Sequence, residues 1–251
     1  MSGHSKWSTI KRKKGAADAK RGQLFTKFAR EIQIAARDGG DPDMNFRLRL
    51  ILEKARASNM PKENVERAIK RGSGEDKAEQ LEEVSYEAYA PHGVALIVQT
   101  LTDNRNRTVA EVRRVFNRMG GALGESGSVS WLFEQKGYIE IDPAGADPDE
   151  IALVAIDAGA DDVVASGEIT EVYTLLEDFK GVRQALEDAG YTISNADVAM
   201  VPKTMMDLAP ADTMQAMRVI DTLEELDDVS NVYSNLSISD AVLAQYEHQA
   251  A

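Results

Sequence analysis

Two groups of basic residues are spaced as phosphate-binding chemistry would need them. The first lies near the start of the chain: Lys6, Lys11, Arg12, Lys13 and Lys14, with Trp7 and Ile10 between the charges. Lys20, Arg21, Lys27 and Arg30 follow within the next sixteen residues. Each Lys or Arg that meets a phosphate releases a counterion, so such contacts add up along a face. Trp7 suits either stacking on an exposed base or anchoring the arm by packing. The run Lys11–Lys14 also fits a solvated charge run, but the number of cations around it favours binding. The second group is Arg105, Arg107, Arg114 and Arg118. At ~100° per residue on a helix, Arg114 and Arg118 fall within about 20° of Arg107. Val109, Val112, Phe116 and Met119 cover the opposite side. This pattern predicts an apolar face on a sheet and an outward arginine stripe. The same stripe also fits a solvated face, or ion pairs to acidic surroundings.

Catalysis fares poorly by elimination. The chain has no cysteine, which removes thiol nucleophiles, disulfides and cysteine-type zinc sites. Its three histidines, His4, His92 and His248, are far apart in sequence. No nucleophile elbow and no Walker-type loop is present. The glycine-rich stretch Gly120–Gly127 follows a helical pattern, whereas a phosphate cradle opens one. The acidic pairs Asp161-Asp162 and Asp227-Asp228 read as solvated residues or helix breakers and not as a cation site. The expectation is therefore no catalytic residue, no metal, no cofactor and no small-molecule substrate.

The elements that must carry these cations follow from periodicity and breakers. Residues 1–74 hold 18 of the 29 Lys and Arg but only 8 of the 42 Asp and Glu. The remainder holds 11 and 34, so a basic end is joined to a strongly acidic body. Leu24, Phe28, Ile32 and Ala35 form one helical stripe from Gln23, with Phe25 and Phe28 assigned to the core. A second helix is expected after the Asp41-Pro42-Asp43 cap, and a third from Pro61 to Gly72, making a small bundle. Residues 75–83 read as a linker, with ordered structure from Val84.

Strands are expected near 84–90, 94–101, 129–133, 138–141, 163–164, 172–176, 198–201 and 229–236, with helices between. The strand-helix-strand-strand-helix-strand order predicts ferredoxin-like α+β layers, with room for two such units. The tail from Asp240 reads as polar and frayed. The N-terminal residues have no apolar stretch of the secretory type, and no segment has the ~20 apolar residues of a membrane span. With the lack of cysteine, this points to a cytoplasmic protein.

Several stretches together resemble the YebC/PmpR family. They are Gly3-His4-Ser5-Lys6-Trp7, Lys11–Lys14, Arg21–Lys27 and Arg30-Glu31-Ile32 in the basic end. Asn59–Asn64 with Arg67-Ala68-Ile69, Tyr86-Glu87-Ala88-Tyr89, Thr102–Thr108 and Gly127–Phe133 continue the match. Asp227-Asp228-Val229 and Val232–Asn235 complete it.

The resemblance implies a multidomain α+β protein: an N-terminal three-helix domain at 1–79 and two ferredoxin-like domains, one inserted in the other. It implies a discontinuous domain at 80–133 plus 204–240, with 134–203 inserted. It further implies a DNA-binding member of a family described as probable transcriptional regulators acting in the cytoplasm. A mitochondrial relative is described as a translational activator, and bacterial members have been linked to the ribosome. Ribosomal RNA is thus the alternative partner. No helix-turn-helix or zinc finger stands out for base readout, which favours the alternative somewhat. The family supplies no catalytic residues, and the oligomeric state stays open.

Overall fold

The computed structural model describes residues 18–75, 80–142, 144–165 and 169–250. The first three elements are helices α1 (Asp18–Ala35), α2 (Phe46–Ala57) and α3 (Lys62–Gly72). Then come β1 (Glu82–Tyr89), β2 (Ala95–Thr102), α4 (Arg105–Met119) and β3 (Ala122–Leu123). Next are β4 (Phe133–Asp142), α5 (Pro148–Asp157), β5 (Asp162–Ala165), β6 (Thr170–Thr174), α6 (Phe179–Asp188) and β7 (Thr192–Pro202). The described chain closes with α7 (Pro210–Glu224), β8 (Val229–Ser234) and α8 (Asp240–Ala250).

The protein is α+β, and its chain packs as two compact units. One is Phe133–Lys203, and the other joins the described residues through Leu132 to those from Thr204 onward. In the second unit α1, α2 and α3 bury Phe28, Ile32, Leu48, Leu52 and Ala55, the apolar stripes expected from helical spacing. Phe25 packs against the same core. Helix α1 begins at Asp18 and runs through Gly22, earlier than the apolar period indicates. The ~1 kcal/mol cost of one glycine is outweighed by good helix formers on either side. Asp41-Pro42-Asp43 forms a turn, but the cap of α2 is Asn45. Its side-chain oxygen accepts from the Leu48 N–H at 3.0 Å, and its amide donates to the carbonyls of Ala35 (2.7 Å) and Gly39 (2.8 Å). One buried amide thus ends the first helix and starts the second.

The same unit holds an antiparallel sheet in the order β3-β1-β2-β8. Helices α4 and α7 cover one face, around Leu96, Val98, Phe116, Met217 and Leu223. This is the spatial strand order of a ferredoxin-like sheet, reached with β1 placed first in the chain. Helix α8 corrects the expectation of a frayed tail. Val242 and Tyr246, one turn apart, are buried in this core, and the Tyr246 hydroxyl donates to Asp221 at 2.8 Å. The strand expected at 129–133 is instead a single 3₁₀ turn, Ser130–Leu132, and β4 starts at Phe133.

The Phe133–Lys203 unit has the order β5-β6-β4-β7, all antiparallel, with helices following its first and third strands. That is the ferredoxin-like connection in its usual chain order. Val182, Leu186 and Phe179 of α6 and Ile151 and Ala155 of α5 are buried with Ile139, Ile141 and Val172 of the sheet. Gly137 permits a close approach between β4, β6 and α6. A Cβ there would meet the Phe179 ring at 2.6 Å and the Thr174 hydroxyl at 2.4 Å. Gly137→Ala should therefore lower the stability of this unit by about 1–3 kcal/mol through overpacking. Thermal unfolding followed by circular dichroism checks it, and an unchanged melting temperature contradicts it.

Candidate nucleic-acid interface

The geometry of the site begins with the way the helical bundle meets the first sheet. Residues Gln23, Lys27 and Arg30 step by four and three along one face of α1. That face meets the turn between α7 and β8. A helix C-terminus leaves carbonyls without intrahelical donors and carries partial negative charge. The Lys27 ammonium donates to the carbonyls of Glu224 and Val229, the latter at 2.7 Å. Gln23 donates to the Glu225 carbonyl and to the Asp227 carboxylate (2.8 Å). Arg30 donates to the Asp227 carbonyl and to the Asp228 carboxylate, both at 2.7 Å.

Asp228 is the hub of this junction, with 3% of its side chain exposed. Besides Arg30, it accepts from Arg107 through Nη2 at 2.8 Å and Nε at 3.3 Å. The Thr108 hydroxyl donates to it at 2.6 Å and the Thr102 hydroxyl at 3.2 Å. Both threonines are buried, and Thr102 also accepts from the Asn104 N–H at the start of α4. Asn104 caps that helix by accepting from the Arg107 N–H. Burial works to raise the Asp228 carboxyl, but the Thr108 and Arg107 hydrogen bonds and the two arginine charges hold it below the usual carboxylate range. Arg107 is also paired with Asp103 at 2.6 Å.

The outer wall of α4 rises beside this hub. Arg107, Arg114 and Arg118 line one cleft of about 700 Å³ together with Arg30 of α1 and Thr222 of α7. Val112, Val115 and Phe116 face the sheet, so the predicted division of α4 into an apolar and an arginine side is present. Among the described residues no hydrogen bond or ion pair takes up Arg114 or Arg118. Glu111, Glu225 and Asp227 also border the cleft, so its wall is mixed in charge.

The structure thus distributes the expected binding residues unequally. Lys6, Trp7, Lys11, Arg12, Lys13 and Lys14 lie outside the described residues. Lys20 sits in the first turn of α1, and Arg21 is exposed on the next position. For Lys27 and Arg30 the structure corrects the expectation of an outward cation. Lys27 and Arg30 are half-buried and turned into the chain, whereas Arg107 keeps its outward place on the cleft wall, with 41% of its side chain exposed, while also pairing with Asp228. The donors of Lys27 and Arg30 are committed to a buried carboxylate and to helix-end carbonyls of the same chain, which lie within hydrogen-bond reach. Arg105 is ion-paired with Glu82. Arg114 and Arg118 also keep the outward role.

Asp228 was hidden by its own surroundings in the sequence: next to Asp227 it reads as a helix breaker. Its partners Thr102, Arg107 and Thr108 stand 120 to 126 residues upstream, beyond any local period. The signal that could have flagged it is that Thr102–Thr108 and Asp227-Asp228-Val229 are both motif stretches, and the fold brings them together. A second such pair meets at Glu87. Its carboxylate accepts from the N–H groups of Gly127 (2.7 Å), Val129 (2.6 Å) and Ser130 (2.8 Å). Burial opposes ionisation there, but these donors hold the Glu87 carboxyl below its ordinary range.

The site thus sits in an α+β protein with two four-stranded antiparallel sheets and a helical bundle rich in Lys and Arg. Comparison with known proteins identifies its family. Residues 5–75 match the TACO1/YebC protein N-terminal domain, and residues 81–236 match the TACO1/YebC second and third domain. The chain belongs to the TACO1/YebC family. A Chloroflexus aurantiacus relative is 55% identical over 251 residues, covering 98% of this chain and 100% of the relative. A Dehalococcoides mccartyi relative is 52% identical and covers both chains in full. Each is named a probable transcriptional regulatory protein. Among solved structures, a conserved hypothetical protein from Aquifex aeolicus matches at 46% identity with a TM-score of 0.81, covering 89% of this chain and 93% of that one. No helix among the described residues is long and apolar enough to cross a membrane.

The junction has a measurable cost when broken. Asp228→Ala removes the acceptor shared by Arg30, Arg107, Thr102 and Thr108 and should lower the unfolding free energy by about 1–3 kcal/mol at neutral pH. The folded-state pKa of Asp228 lies below the unfolded value of about 3.9. Its contribution is therefore full above that pH and is lost as the pH falls through the folded pKa. Urea unfolding from pH 7 downward should show the wild-type advantage over Asp228→Ala shrinking below about pH 4. An advantage independent of pH across that range contradicts the assignment.

Proposed function

We propose that this protein is a DNA-binding transcriptional regulator of the cytoplasm that grips its target through phosphates. The observation that carries the reading is the cleft wall on α4. There Arg114 and Arg118 have no partner among the described residues, beside two arginines that are paired with Asp228 and Asp103. The charge swing supports it, since the N-terminal 74 residues carry the basic excess and the rest is acidic. The names of the close relatives support a role in transcription. In this reading the domains are 1–79, 80–133 with 204–240, and the inserted 134–203. The footprint combines Lys6, Trp7, Lys11–Lys14, Lys20 and Arg21 with Arg114 and Arg118. It needs neither a catalytic residue nor a cofactor.

Two measurements test the reading. Crosslinking in cells, followed by sequencing of recovered DNA and RNA, should enrich defined DNA sites. Recovery of ribosomal RNA with no enriched DNA overturns the transcriptional role in favour of a translational one. In vitro, Arg114→Glu with Arg118→Glu should weaken duplex DNA binding and flatten the plot of log affinity against log salt by about one for each phosphate no longer neutralised. An unchanged slope makes the arginine wall a solvated face.

A further inference from the structure

One motif pair is not used by the phosphate-binding face. Tyr86–Tyr89 and Gly127–Leu132 meet at the edge of the first sheet, where β3 pairs with the end of β1. The loop between β3 and β4 is held from several sides. Glu87 takes three of its N–H groups, and the Glu87 carbonyl takes a fourth from Gly124 at 2.8 Å. Two aromatic side chains are pinned to the same oxygen of this loop. The Tyr89 hydroxyl donates to the Ser128 carbonyl at 2.9 Å, and the Trp131 indole N–H donates to it at 3.0 Å.

The result is unusual for a soluble surface. Trp131 is 65% exposed and Tyr89 is 37% exposed, yet neither is a loose side chain. An exposed tryptophan normally keeps its N–H for water or for a ligand. Here that polar handle is spent internally, and the ring, 65% exposed, offers a partner its apolar carbon surface. A ring so presented recognises a partner by stacking, and every base has a π-face to offer. Such stacking requires a base that is not already stacked in a duplex.

We propose that Trp131, with Tyr89 beside it, is a stacking platform for an unpaired nucleobase. The inference rests on the nucleic-acid-binding reading above. It adds a preference for single-stranded or locally opened nucleic acid. Glu87 acts as a positioning residue, because its carboxylate fixes the loop that carries the tryptophan.

The test measures affinities on the full chain with both tryptophans, and uses Trp7→Phe only to assign the fluorescence change to Trp131, the second of the two tryptophans in the sequence. Both proteins are titrated with a mixed-sequence single-stranded DNA oligonucleotide of about 20 nucleotides, enough to span an ordinary single-strand site, and separately with the matching blunt duplex. The single strand should quench Trp131 fluorescence, and the duplex should bind without quenching it. Trp131→Ala should weaken single-strand binding on the order of 10-fold. Trp131→Phe should restore most of that loss, with the salt slope unchanged in both variants. Glu87→Gln should weaken single-strand binding while leaving the duplex affinity unaltered.

Binding of the single strand with neither quenching nor a Trp131→Ala effect overturns the platform and leaves the phosphate reading standing. Failure of both oligonucleotides to bind overturns both. A Trp131 signal that ignores oligonucleotides but changes with protein concentration assigns the ring to an interface between copies and also overturns the platform.

Discussion

The buried carboxylate of Asp228 is the interaction on which the second unit depends. It draws Arg30 from the helical bundle, Arg107 and Thr108 from α4, and Thr102 from the end of β2 onto one group. A carboxylate removed from water is costly unless its lone pairs are filled and its charge is met. Here two guanidinium groups and two hydroxyls do both. The arrangement therefore works as a specificity device. A bundle rotated by one residue on the sheet would separate Arg30 from Asp228 and lose that ion pair. Lys27 and Gln23 strengthen the same registration by capping the end of α7.

This junction also explains why the cleft has the character it does. Cations from α1 and α4 converge there, which would be self-repelling without an internal anion. Asp228 together with Asp103 offsets the charges of Arg30 and Arg107 and ties both side chains into the fold. Arg114 and Arg118, about two and three helical turns beyond Arg107, have no hydrogen bond or ion pair among the described residues. The Glu87 loop follows the same logic on a smaller scale, since one carboxylate collects backbone donors and fixes a loop that would otherwise be glycine-rich and loose. In both places a carboxylate that looks ordinary in the sequence organises residues from a distant motif.

Local features of the fold were legible from the amino-acid order. The apolar stripes of α1 and α2, the two-sided character of α4 and the alternation in β1 and β2 all follow from helical and strand periods of about 3.6 and 2. Other features rested on interactions across the fold. Helix α8 forms because Val242 and Tyr246 find the core of the first sheet, although its own composition reads as a polar tail. The cap of α2 is Asn45 because its amide can also reach Ala35 and Gly39, which no local pattern announces. The arginine side of α4 was readable from spacing alone. That Arg107 is paired with a buried carboxylate while Arg114 has no partner among the described residues was not, because that carboxylate lies 121 residues downstream of Arg107.

Coupling between Arg30 and Asp228 is what seats the helical bundle on the sheet. A double-mutant cycle of Arg30→Met and Asp228→Asn, read by urea unfolding at neutral pH, measures it directly. The expected coupling free energy is about 1 kcal/mol or more, with the double variant less destabilised than the sum of the single ones. Additive effects within about 0.3 kcal/mol would show that the two groups act independently and would contradict that seating.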